Sequence, residues 1–149
     1  MEKKFDRLKA DHEVLGAAVW QLLPRVARRP VSRSALADVL EMLDTRLAAH
    51  EREEERLFAG SEDAGGLLTA IYAAHEQIEH GRKALRDGLA NWDLPGGGQR
   101  ALAAVDPEAL ADRAEEVLHL VLEQFGHEEA LVAALIGMEQ PAREARAEG

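Results

Sequence analysis

The stretch Leu47-Ala48-Ala49-His50-Glu51-Arg52-Glu53-Glu54-Glu55-Arg56-Leu57-Phe58 sets an imidazole and a carboxylate inside an otherwise apolar helical stripe. Upstream, Leu36, Leu40, Leu43 and Leu47 recur at steps of three and four. That spacing keeps one face of an α-helix turned toward a partner. Carried on, it lands on His50, Glu54 and Leu57. Three more stripes are interrupted in the same way. They run Phe5, Leu8, His12, Leu15, Val19, Leu22, then Leu68, Ile71, His75, Ile78, Arg82, Leu85, Leu89, and last Val117, Val121, Gln124, Glu128, Leu131, Leu135. A polar group belongs in a buried seam only if the core satisfies it. Four amphipathic helices predict an all-α fold, an up-down-up-down four-helix bundle, and a polar layer crossing all four predicts a metal site.

Bulk composition narrows the classes. The 149 residues make one domain (1–149), large enough for a real core. Aromatic residues are 4% and hydrophobic residues 46%, mostly Ala, Leu and Val, which favours helices. A formal net charge of −10 repels nucleic acid and anionic membranes, so neither is expected as a partner. The absence of cysteine excludes iron–sulfur clusters, thiolate zinc sites and disulfides. The charged start Met1-Glu2-Lys3-Lys4 and the lack of a long apolar run make a soluble, cytoplasmic protein the expectation.

Helix 1 is expected from about Glu2 to the low twenties, where Pro24 kinks or ends it. Arg25, Arg28, Arg29 and Arg33 follow and oppose the helix dipole. Ser32 or Ser34 caps helix 2, which runs to about Ala59, and Gly60-Ser61-Glu62-Asp63 turns the chain into helix 3, about Gly65 to Ala90. Asn91-Trp92-Asp93-Leu94-Pro95-Gly96-Gly97-Gly98 opens a longer connection. Asp106-Pro107-Glu108 starts helix 4, which is expected to reach about Met138, with a frayed tail from Pro141.

A shared site needs equal depth as well as a shared seam. His12 lies ten residues after Glu2 and His50 nine before Ala59; His75 lies ten after Gly65 and Glu128 ten before Met138. At about 1.5 Å per residue, all four sit about 15 Å from the same end of an antiparallel bundle. Glu54, Glu79 and Gln124 lie one turn from His50, His75 and Glu128. Imidazole with carboxylate suits iron, manganese or zinc, and a bridging carboxylate suits a pair of iron or manganese ions. The alternative is a buried network of neutral histidines bonded to Glu54, Glu79 and Glu128, with Arg82 as counter-charge.

With these residues the chain resembles the hemerythrin-like (HHE cation-binding) family, from Asp11-His12-Glu13 to Leu135. Those bundles carry a histidine on helix 1, His-x-x-x-Glu on helix 2, a histidine on helix 3 and a second His-x-x-x-Glu on helix 4. His12, His50 with Glu54, and His75 fit the first three elements. The resemblance implies a non-haem di-iron centre bridged by two glutamates, and the handling of O2, NO or peroxide, iron storage, or redox and iron sensing. Classical hemerythrins place another histidine where this chain has Glu79. On helix 4 the chain departs again, reading Gln124-Phe125-Gly126-His127-Glu128-Glu129, so that Gln124 replaces the ligand histidine. His119 with Glu123 offers an alternative pair, but at about 100° per residue His119 lies more than a right angle from the Val117, Val121, Leu131 line. The seam therefore favours Gln124 and Glu128.

Other residues read as structural. His80 and His127 fall off the seam, and Trp20 and Trp92 read as packing anchors. Glu116-x-x-His119 is a single copy of a motif that ferritin-like bundles need twice. The second apolar face of helix 4 (Leu118, Leu122, Phe125, Val132, Ile136) means either deeper burial of that helix or a second copy of the chain, a homodimer. Two functions follow: a non-haem iron protein that binds or senses a small diatomic or redox ligand, or a degenerate bundle serving, without metal, as an interaction or regulatory module.

Overall fold

A computed structural model describes residues 2–61, 63–92 and 106–148, and among these every regular element is helical. Helix α1 spans Glu2–Ala27, α2 Arg33–Met42, α3 Ala48–Phe58, α4 Leu67–Trp92 and α5 Pro107–Glu148. A π-helical turn, Leu43–Leu47, joins α2 to α3, so residues 33–58 run as one rod and the described residues form four long helices. None of them is long and apolar enough to cross a membrane. Asn91 and Trp92, expected to open the connection, instead end α4, and the rest of that connection lies outside the described residues.

Local chemistry sets the ends. The Ala35 N–H donates to the Ser32 hydroxyl (3.1 Å), capping α2. Asp106 accepts from the Glu108 and Ala109 N–H groups (3.0 and 3.3 Å) and opens α5. Asp63 does the same for α4 through Leu68 N–H (2.8 Å), aided by Gly60 at φ 76°, a conformation that suits glycine. Pro24 lies inside α1 without ending it, and α5 runs ten residues past its expected end at Met138. A proline removes one backbone donor, and the Ala-, Arg- and Glu-rich sequence beyond Pro141 favours the helix strongly enough to carry it on.

Helix α1 packs on α5 and on the α2–α3 rod, and α4 packs on α5 and α2. Contacts descend one helix as they ascend its neighbour. His12 meets Glu128 near one end, while Arg29, just past α1, meets Asp112 at the other (2.9 Å). Arg25 bonds Asp38 (2.6 Å), so these arginines tie neighbouring helices together as well as sitting at a helix end. Along α4, a β-carbon on Gly81 would strike Val117, and one on Gly88 would strike Leu110. These two glycines let α4 and α5 approach closely.

The core has two apolar clusters. The larger includes Leu15, Val19, Leu36, Leu47, Ile78, Leu85, Val117 and Leu118; the smaller is Phe5, Leu8, Leu57, Phe58, Ile71 and Leu131. On every helix the seam histidines, glutamates and glutamine fall between a member of one cluster and a member of the other, whereas Arg82 lies between Ile78 and Leu85 of the larger one. The second face of α5 is used within the chain, with Leu118 and Phe125 in the larger cluster and Val132 and Ile136 against the smaller. Trp20, expected as a packing anchor, is instead 64% exposed and belongs to neither cluster.

The π turn was not visible in the stripe. Met42 and Leu47 are both buried although five residues apart, a step that a regular α-helix cannot carry on one face. The wider turn absorbs the extra residue, so that Met42 and Leu47 are both buried. Within it the Thr45 hydroxyl donates to the Glu41 carbonyl (2.7 Å).

Candidate metal centre

Between the two clusters lie His12, His50, Glu54, Gln124 and Glu128, all buried, with Glu128 and Gln124 fully removed from solvent. One donor atom from each of His12, His50, Glu54 and Glu128 lies within 4.8 Å of every other. His12 Nε2 is 3.1 Å from His50 Nε2 and 2.6 Å from Glu128 Oε2. His50 Nε2 is 3.5 Å from that same oxygen and 3.7 Å from Glu54 Oε1. These Nε2 atoms and carboxylate oxygens face a common point.

The outer ring nitrogens are held from behind. His50 Nδ1 lies 3.4 Å from Asp11 Oδ2, and His12 Nδ1 lies 3.5 Å from Glu129 Oε1. A carboxylate at Nδ1 keeps the proton there and turns the Nε2 lone pair inward, the arrangement of a metal-ligating histidine. Sequence reasoning did not single out Asp11 or Glu129 for this, since each serves a histidine on a neighbouring helix. The only signal was their adjacency to His12 and Glu128. Phe125 closes the layer on one side, stacked on His12 with ring centroids 4.4 Å apart and edge-on to His50 at 5.5 Å.

The other half of the layer is different. His75, 12% exposed at its side chain, places Nε2 3.1 Å from Glu54 Oε2. The Gln124 amide nitrogen lies 2.8 Å from His75 Nε2, and it donates to Glu54 Oε2 (3.3 Å) and Glu128 Oε1 (3.1 Å). Each glutamate thus turns one oxygen toward the His12–His50 half and one toward the His75–Gln124 half.

The carboxylate oxygens are hydrogen-bonded on the His75–Gln124 side only. Glu54 Oε1 and Glu128 Oε2, which face His12 and His50, are buried without a hydrogen bond, and the nearest approach to them is that of His12 Nε2 to Glu128 Oε2. Two unsatisfied carboxylate oxygens beside two inward imidazoles make a costly arrangement that a cation would relieve. The donor set therefore fits a metal ion with nitrogen and oxygen preferences.

Protonation follows the same layout. Burial alone would lower the His50 pKa, but the Glu128 and Asp11 carboxylates outweigh it and raise the value above 6.5. Burial lowers that of His75, against the pull of Glu51 and Glu55. Burial raises the carboxyl pKa of half-buried Glu51, beside the layer.

Some expected ligands lie elsewhere. Glu79 is exposed and pairs with Arg82, which also approaches Asp44 (3.5 Å), so neither Glu79 nor Arg82 joins the layer. One helical turn from His75 puts Glu79 on the right side of α4, but the cation three residues on captures it. His119 and Glu123 are both exposed, while Gln124 and Glu128 are buried. Compared with protein-family models, curated proteins and solved structures, the chain matches none.

Proposed function

We propose that this chain is a hemerythrin-like, non-haem iron protein, an up-down-up-down bundle whose polar layer binds metal and through it a small redox ligand such as O2, NO or peroxide. The opposed running of contacts between neighbouring helices supports the topology. One observation carries the function. The buried, unbonded oxygens of Glu54 and Glu128 converge with the Nε2 atoms of His12 and His50. These four residues would hold the ion.

Two imidazoles and two carboxylates without thiolate suit iron, manganese or zinc, and the carboxylate share favours the ferric over the ferrous state. When bound, iron supplies a Lewis-acidic centre capable of one-electron redox chemistry. The chain's own residues do the rest. Asp11 and Glu129 orient the imidazoles, and Phe125 shields their faces from water. A cleft of about 340 Å³ between α1 and α5, lined by Phe5, Leu8, Val132 and Ile136 among others, reaches His12. It gives a small, weakly polar ligand a path to the layer.

The test is metal analysis and a visible spectrum of protein purified with ferrous iron present. The proposal expects bound iron and an absorbance that shifts on adding NO or peroxide. Protein that takes up no iron, with a spectrum and stability indifferent to chelator, would instead make the layer a hydrogen-bonded network in a metal-free interaction module.

A further inference from the structure

We propose that the centre holds one metal ion per chain, because the side-chain amide of Gln124 occupies the position that a second ion would take. This rests on the metal-binding reading above and deepens it. The two glutamates present one oxygen to each half of the layer, a symmetric supply of donors. What differs between the halves is who answers them.

In the His12–His50 half the two oxygens meet only imidazole nitrogens, and Glu54 Oε1 and Glu128 Oε2 are left without a hydrogen bond. In the His75–Gln124 half the amide nitrogen sits among Glu54 Oε2, Glu128 Oε1 and His75 Nε2, at 3.3, 3.1 and 2.8 Å. Those three atoms are the donors a second ion would need. An –NH2 group offers two hydrogens to them, and His75 Nε2 completes the set by accepting from the amide or donating to Glu54 Oε2.

The amide orientation follows from charge. Turned over, its carbonyl oxygen would face two carboxylate oxygens with no donor between them. Gln124 Oε1 is buried without a hydrogen bond, so the inward nitrogen is kept at the expense of that oxygen. The amide is also fully buried and packed between the two apolar clusters. A second ion must therefore expel a packed side chain from the core, whereas the first enters where two oxygens lack partners.

Counting iron decides the matter. The full chain is reconstituted anaerobically with excess ferrous iron, freed of unbound metal and assayed for iron per chain, with circular dichroism confirming that each variant folds. Wild type should hold one ion, Gln124→His two, His75→Ala still one, and His12→Ala none. Two ions in wild type would overturn the proposal and leave the metal reading intact, since the amide would then have turned to ligate through oxygen. No iron in wild type would overturn the metal reading itself. If Gln124→His does not fold, His75→Ala decides: one ion upholds a site made without His75, and loss of iron defeats it.

Discussion

His50 has partners on both ring nitrogens and an aromatic ring against its own. Its Nε2 faces His12, Glu54 and Glu128, its Nδ1 faces Asp11, and its ring meets Phe125. Glu128 and Asp11 hold its pKa above 6.5 despite burial. In the metal-free protein that proton stabilises the fold fully below pH 6.5, and the contribution is lost as pH rises through the raised value. A metal ion must displace the same proton, so iron affinity should weaken as pH falls from above 6.5. Competition titrations on either side of that value would show it, and a flat profile would mean that His50 is not a ligand. Asp11→Asn keeps the size of the side chain and removes the charge behind His50. It should reduce metal affinity by about 10- to 100-fold without loss of folding. Equal affinities in mutant and wild type would leave Asp11 as a bystander.

At the scale of elements, the α4–α5 contact is the tightest in the described chain to be set by missing side chains. Gly81→Ala would drive a methyl group into Val117. Because that neighbour is a buried, β-branched side chain with little room to move, the variant should lose about 1–3 kcal/mol of stability. Urea denaturation would measure it, and Gly126→Ala, with open space around the new β-carbon, is the control expected to lose nothing by overpacking. Much of the element plan was readable. Ser32 and Asp106 announced helix starts by their side-chain acceptors, and the three-four spacing marked the buried faces. The π turn was hidden because Met42 and Leu43 are adjacent apolar residues, so the stripe could be traced through Leu43 without noticing the step of five. Asp63 was read only as part of a turn, since nothing in its immediate sequence distinguishes a turn aspartate from one reaching Leu68.

For the whole molecule, the layer links two bodies of apolar packing, and a metal bound to the native state but not to the unfolded chain stabilises it. Chelation should lower the melting temperature, and His50→Ala should erase the difference between chelated and iron-loaded samples. Superposable melting curves for wild type with and without chelator would remove iron as a structural element. The site was legible to the extent that depth along a helix follows from counting residues. Counted from the expected helix ends, His12, His50, His75 and Glu128 have nearly equal offsets, and the structure brings them into one layer even though α5 continues past Met138. Glu79 shows where counting fails. Spacing gives the side of a helix, but a nearby arginine decides which way a long acidic side chain turns. The amide of Gln124 was visible as a departure from a pattern, yet its three-way contact depends on side-chain torsions that no spacing rule contains.

The division of the core also governs how the molecule opens. The smaller cluster is built from the first turns of α1 and α4, the last turns of α3 and a stretch of α5, and the polar layer lies between it and the larger one. Without iron, this end should breathe as a separate cooperative unit, its amides exchanging with deuterium well before those of the larger cluster. With iron in place, exchange at Leu8, Leu57 and Leu131 should slow toward the global rate, because the ion then bridges helices that otherwise part independently. Amide exchange followed by mass spectrometry, with and without iron, would resolve the two ends. Uniform slowing along the whole length would mean that the layer does not divide the molecule into units that open one at a time.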